Sequence, residues 1–363
     1  MVCIKIGLRK NLLYPSLFIL FTALRRIIKL ILDYLIKIKL SFLMILFMVL
    51  VELILGVIFS WKHDNNIKNK NNEQQLVNKK DNSCKILFLV FCSAYFELIG
   101  FLSRRLITIY DSNNDDYDEF NAKFRSMEVC VSSLLIFLTL KARIYRHQIF
   151  SLIIIIFCLT LIFVIEFIKR LDNKFYYFIN ILEVIGTSIC RAFLDTTEKY
   201  LFDIDFINIF KLIRLQSFIN LILMALLYSF KMPRQEVEDL FCLVPYKILL
   251  GIGLLLVYAI LSGFKNIYRR YTVQEYSPMT RALAESILDP FFLFIGFIVR
   301  IDNNIKFFLP SLIFTIIIVL CGCIYNDFII LYFCGLEKDT YLEISKRGNE
   351  EKLIQIVETT NII

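Results

Sequence analysis

Glycine (11 residues) and proline (6) are scarce in this chain of 363 residues. Their scarcity argues against a loop-rich β sandwich and against a low-complexity tail, both of which need turn-forming residues in quantity. Histidine is scarcer still: the only two, His63 and His147, sit in polar stretches where a side chain is ordinarily solvated. The 10 cysteines include no CxxC pair and no Cys/His cluster. Neither a structural zinc site nor a disulfide framework is therefore expected. Cys92, Cys130, Cys158, Cys190, Cys321 and Cys323 lie inside apolar runs, where cysteine behaves as a small hydrophobe. Charge is also low, at 20%, against about 25% in a soluble domain.

What is abundant is grease. Hydrophobic residues make up 58% and aromatics 15%, with a mean hydropathy of +0.66. This balance excludes a disordered protein, a secreted disulfide scaffold and a conventional nucleotide-fold enzyme. It leaves an all-α, polytopic membrane protein. The net charge of +8 comes from 41 basic and 33 acidic residues. In a membrane protein such an excess reflects basic loops at one lipid surface, so no nucleic-acid partner is expected.

About 20 largely apolar residues span a bilayer as a helix. Clear candidates are 40–60, 85–103, 150–168, 207–230, 246–264 and 306–330. Segments 126–140 and 176–194 are less pure, and 277–299 contains Pro290 and several charges. The weakest, 11–28, ends in Arg25-Arg26 and runs into the basic amphipathic 29–39, so it reads either as a short span or as a helix on the membrane surface. About ten transmembrane helices follow from this count. Residues 1–170 form a first transmembrane half, 171–336 a second, and 337–363 a charged cytosolic tail. The Asn- and Lys-rich stretch 61–84 lacks a periodic apolar face and reads as a flexible cytosolic loop. The stretch 106–124, with Asp111, Asp115, Asp116, Asp118 and Glu119, reads as an acidic loop on the other side. With the N-terminus inside, the loops 61–84, 141–148, 195–206 and 264–276 carry twelve Lys/Arg against ten in the opposite loops, a small positive-inside bias. Basic residues precede the first apolar stretch, but no small-residue cleavage site follows, so a cleaved signal peptide is not expected.

An ionisable side chain in a span costs roughly 2.5–3.5 kcal/mol on insertion scales, so such residues face the bundle interior or water. On 176–195, Glu183, Thr187 and Arg191 share one face, as do Arg281, Glu285 and Asp289 on 277–299. Glu97 and Arg105 share a face of 85–105, and Tyr258, Ser262 and Asn266 share a face of another helix. Each pair or stripe could be an ion pair stitching helices together; as a group they suit the lining of a solute cavity. Ser277-Pro278 reads as helix punctuation, with serine as N-cap and proline at the first helical position.

An internal repeat is hinted at by Phe124-Arg125-Ser126-Met127 and Thr280-Arg281-Ala282-Leu283, each placing an arginine at the mouth of a helix followed by a very apolar one. On a ten-span count these are the fourth and ninth helices, equivalent if the chain is five plus five.

The chain resembles the drug/metabolite transporter superfamily, in the branch of nucleotide-sugar transporter-like solute carriers. The residues that carry the resemblance are Phe124-Arg125-Ser126-Met127-Glu128 with the short basic segment Lys141 to Gln148, then Glu198-Lys199-Tyr200-Leu201, Asn266, the run Ser277-Pro278-Met279-Thr280-Arg281-Ala282-Leu283, and Gly322-Cys323-Ile324-Tyr325-Asn326-Asp327. It covers about 85–335 and is stronger in the second half. The resemblance implies two inverted five-helix repeats and alternating access by a multi-pass carrier of a small polar, anionic metabolite, nucleotide-sugar-like or phosphorylated. The substrate-binding residues expected are Arg281, Glu285, Arg191, Glu183, Asn266, Tyr258, Glu97 and Tyr325. No enzyme activity, catalytic residue, cofactor or metal is expected. The lipid bilayer and a small-molecule substrate are the expected partners, and a homodimer stays open. An endomembrane (Golgi, endoplasmic reticulum or vacuole) or the plasma membrane is the expected location.

Two other classes compete. A structural or trafficking membrane protein would carry the same spans with no substrate. An integral membrane transferase would need a general base near the interface, for which His147 and the Asp115-Asp116 pair are the candidates. Topology gives the first prediction. Cysteine-accessibility labelling from one side of a sealed membrane should reach 61–84 and the tail after 337 together, and the loop 106–123 only from the other side.

Overall fold

The structure, a computed structural model, describes residues 4–6, 13–36, 41–68, 83–110, 123–140, 145–169, 174–205, 207–228, 238, 245–300 and 305–331. The tail 337–363 and the acidic run around Asp115-Asp116 lie outside the described residues, as does most of 61–84. Of the latter, 61–68 continues a helix instead of forming a loop.

Eleven helices are described. They are α1 (Leu13–Ile36), α2 (Ser41–Lys68), α3 (Ser83–Tyr110), α4 (Met127–Leu140), α5 (Arg146–Lys169), α6 (Lys174–Asp203), α7 (Ile209–Leu227), α8 (Pro245–Glu275), α9 (Pro278–Ser286), α10 (Asp289–Arg300) and α11 (Ile305–Tyr325). Two short strands, β1 (Ile4–Ile6) and β2 (Ile329–Leu331), pair antiparallel, with Lys5 opposite Ile330. They tie the start of the chain to the segment just after α11, where Asp327 turns the backbone through φ 61°.

Five helices (α2, α5, α7, α8 and α11) are long and apolar enough to cross a membrane. Their outward rows are greasy: Ile153, Phe157 and Leu249 are 62%, 61% and 77% exposed, while glutamates and arginines are buried inside. A water-soluble fold has the opposite arrangement. The helices therefore suit a lipid bilayer, whose hydrocarbon accepts exposed Ile and Phe and admits backbone only as helices or closed barrels.

The span expected over 277–299 is in fact two helices. Ser277 caps α9, its hydroxyl accepting from the Thr280 N–H at 3.1 Å, with Pro278 in the first turn, as the sequence implies. The helix stops at Ser286 and α10 restarts at Asp289-Pro290. Proline lacks the N–H that a helix interior needs, so it is tolerated where a new helix begins. Within 11–39, Leu13–Ile36 form one helix, α1, packed along α8 through stacked rings: Tyr14 on Tyr271 at 4.8 Å, and Phe21 on Phe264 at 5.4 Å.

The main helix contacts join elements far apart in sequence. α1 packs on α8, α3 on α6, α2 on α7 and α8, α5 on α11, and α4 on α6 and α9. Helices α2 and α7 run antiparallel, since Phe42 meets Tyr228 while Phe59 meets Phe210. They touch most closely at Gly56, where an added Cβ would lie 3.0 Å from the backbone nitrogen of Arg214. At Gly263 the nearest atom, at 2.8 Å, is instead the movable end of the Leu55 side chain. Gly56→Ala should therefore force two helices apart and cost about 1–3 kcal/mol, whereas Gly263→Ala should cost well below that. Thermal unfolding of the two purified variants in detergent checks the difference.

Candidate functional site: a buried charge network around a small cavity

Charged side chains from α1, α3, α4, α6, α8, α9 and α10 meet inside the bundle. Arg281 on α9 is 2% exposed and is the hub. Its guanidinium is ion-paired with Glu128 on α4, Asp195 on α6 and, at 3.2 Å, Glu285 one turn along its own helix. Asp195 also accepts from Arg269 at 2.6 Å, and Glu198 on α6 from Arg269 at 2.8 Å and Arg270 at 3.1 Å. Arg270 reaches Gln216 on α7 at 2.6 Å, and Gln216 donates to Ser93 on α3 at 2.7 Å. Lys265 meets Glu285 at 3.1 Å. Asp289, at the start of α10, is held by Arg125 at 2.7 Å and Arg26 at 3.2 Å. Lys123 pairs with Glu166 at 2.6 Å.

Three amide–carboxylate contacts add to the network, one of them from Gln216 to Glu198 at 3.2 Å. Asn266 on α8 donates to Glu52 on α2. Asn220 on α7 donates to Glu97 on α3 at 3.1 Å.

Enclosed by these groups is a cavity of about 50 Å³, lined by Arg25, Phe96, Glu97, Arg191, Leu194, Lys265, Asn266, Arg269, Arg281 and Glu285. A larger void of about 350 Å³ opens between α4, α5 and α6, but Phe124, Met127, Ile156, Leu159 and Phe163 make it almost wholly apolar. That void suits lipid chains; the polar chemistry lies in the smaller one.

Of the residues expected from sequence, Arg281, Glu285, Arg191, Asn266 and Glu97 line the cavity together. Tyr258 lies just outside it, its ring 5.8 Å from the Arg25 guanidinium. Glu183 is buried on α6 but does not line the cavity. Tyr325 is remote from the network, donating to Met279 Sδ at 2.7 Å within an apolar cluster of α4, α5, α9 and α11. The side chain of Arg105, paired in expectation with Glu97, lies outside the described residues.

Three expectations change. The segment 264–276 is not a cytosolic loop: it is the last stretch of α8, and Lys265, Arg269 and Arg270 are buried in it. The expected loop 195–206 is likewise helix α6 as far as Asp203, so Lys199 joins these three in leaving the positive-inside count. The expected Arg281, Glu285 and Asp289 face is cut by the break after Ser286, and Asp289 is held by Arg26 and Arg125. His147 is not solvated: it opens α5 buried, with Nε2 3.0 Å from Asp327.

Sequence reading also missed Glu52, Glu128, Asp195, Glu198, Arg269 and Arg270. The signal that finds one of them, Glu52, is positional. Ser93-Ala94 with Glu97 on α3 is matched by Ser262-Gly263 with Asn266 on α8, and Glu52 on α2 by Asn220 on α7. Thr22 with Arg26 on α1 is matched by Thr187 with Arg191 on α6, and Ser151 with Glu166 on α5 by Ser311 with Asn326 on α11. All these matched positions are buried except the half-buried Arg26 and Arg191, and each pair is 160 to 169 positions apart. Among the described residues no group of three or more His, Cys, Asp or Glu could hold a metal ion.

Breaking a buried ion pair by removing one partner costs about 3–5 kcal/mol, because the other charge is left uncompensated. Arg281→Ala leaves Asp195 with Arg269 and Glu285 with Lys265, but Glu128 with only the 3.6 Å contact to Arg191, so it should lower the thermal stability of the detergent-solubilised protein by about that amount. Neutralising one stranded acid in Arg281→Ala/Glu128→Gln should recover part of the loss, and a double-mutant cycle measures how much. No protein-family model matches this chain, and no curated protein is similar enough to place it.

Proposed function

We propose that the protein is a multi-pass solute carrier of the drug/metabolite transporter type, moving a small anionic metabolite by alternating access between two inverted five-helix repeats. The carrying observation is the polar cavity itself, lined by side chains from α1 and α3 in the first half and from α6, α8 and α9 in the second.

Helix pairing supports the repeat. Exchanging α1 with α6, α2 with α7, α3 with α8, α4 with the broken α9–α10, and α5 with α11 turns the α1–α8 pairing into α6–α3. It turns α4–α6 into α9–α1, and it returns α2–α7 and α5–α11 to themselves; all these pairings occur. The ion pairs follow the same exchange. Arg26 (α1) and Arg125 (α4) hold Asp289 (α10), while Arg191 (α6) and Arg281 (α9) approach Glu128 (α4). Since α2 and α7 are antiparallel, the relation is an inverted one, with its axis in the membrane plane.

A second reading, a static membrane protein, draws on the saturation of Arg281 and the small volume of the cavity. Two measurements test the carrier. Solute-dependent uptake into vesicles reconstituted with the purified protein should be seen, with phosphorylated and nucleotide-bearing solutes tried first; no uptake of any solute class favours the static reading. In a chain whose native cysteines are replaced, Trp61→Cys and Tyr228→Cys, at the C-terminal ends of α2 and α7, should label from opposite sides of the membrane. Labelling from one side ends the inverted-repeat reading.

A further inference from the structure

The cations around the cavity fall into two groups. Arg281 and Arg269 spend their guanidinium donors on Glu128, Asp195, Glu198 and Glu285. Arg25 and Arg191 do not. Among the described residues, Arg25 has no acidic partner within ion-pair distance; the Tyr258 ring lies 5.8 Å from its guanidinium, and Glu285 and Lys265 are close enough to feel its charge. Arg191 has Glu128 at 3.6 Å, which is an ion-pair contact and too long for a hydrogen bond. Both line the same cavity, from α1 and from α6, the two helices that the proposed exchange relates. Lys265, also in its lining, has one acidic partner, Glu285, for its three N–H donors.

We infer that Arg25 and Arg191, with Lys265 between them in the lining, form the anion-binding site of the cavity, and that its ligand is an oxyanion of phosphate size. The guanidinium fork matches the oxygen spacing of a phosphate and binds it through two parallel N–H donors. A charged group inside a membrane bundle is retained where it meets a counter-charge; Arg25 shares the Glu285 charge with Lys265 and Arg281, and an arriving oxyanion adds a second. Free phosphate and the terminal phosphate of a larger metabolite present the same group. Arg281, with three acids on it, is a positioning residue and holds the cavity's wall. The assignment rests on the carrier reading for what happens after binding, and binding is testable alone.

The experiment uses the purified full chain, first in detergent and then in vesicles, with inorganic phosphate and glucose 6-phosphate as probes. Either probe should raise the unfolding temperature of the wild type in a dose-dependent way. Arg25→Gln and Arg191→Gln should each weaken binding about 10- to 100-fold, as loss of a charge-assisted contact does. Their unliganded unfolding temperatures should stay near that of the wild type, because neither breaks a hydrogen-bonded acid. A tighter response to the ester identifies a headgroup, and a response to phosphate alone identifies the free ion; both support the site. Undiminished binding in both variants, or no response of the wild type to either probe, overturns it. The vesicle arm separates the two readings. Uptake of an uncharged or cationic solute, unaffected by either anion, leaves the carrier standing and removes the anion site. Binding of phosphate without passage of any solute leaves the site standing and removes the carrier.

Discussion

Charge compensation in a low-dielectric interior governs this structure. Each of Glu128, Asp195, Glu198, Glu285 and Asp289 is buried, and each lies on a basic side chain from another helix. Two unit charges separated in hydrocarbon are prohibitive; side by side, with hydrogen bonds filling the remaining donors, they are tolerated. The partners are fixed in space, so the helices that carry them are fixed too. Arg281 alone joins α9 to α4 and α6, and Asp289 joins α10 to α1 and α4. Lipid cannot sort apolar helices by hydrophobicity, since lipid tails are as apolar as leucine. The ion pairs and the amide–carboxylate contacts therefore specify which helix sits beside which, and the close approach at Gly56 sets how near α2 and α7 come.

The break between α9 and α10 belongs to the same economy of charge. Asp289, at the restart, is held by Arg26 and Arg125 while still lying within reach of the Glu285 charge. A carboxylate at a helix N-terminus also lies against the positive end of the helix dipole, which favours it further.

The membrane character, the α9 cap and the Thr187 and Arg191 stripe were legible in the sequence, because each depends on neighbours along the chain. The network was not, because its pairs join Lys123 to Glu166, Asn266 to Glu52 and Arg281 to Glu128 across long separations. Hydropathy misled at one place in particular. Lys265, Arg269 and Arg270 lower the hydropathy of 264–276 so far that it reads as a loop, although the helix runs through it with all three buried. Pro290 misled in the other direction. It falls inside the single span expected over 277–299, yet it is the first-turn proline of a new helix.

The same network changes what an arginine inside a membrane bundle signifies. Regular spacing on a polar face made Arg281 the leading substrate contact, and its burial at the cavity fits that idea until its donors are counted. A guanidinium has five N–H groups in a fixed fork. Those of Arg281 are directed at three carboxylates, so an incoming anion would have to compete with three acids already seated on it. Removing Arg281 would then abolish function through the fold, whatever its distance from the solute. Donors left unspent are the better criterion, and by that criterion the cavity's binding capacity lies with Arg25 on α1 and Arg191 on α6.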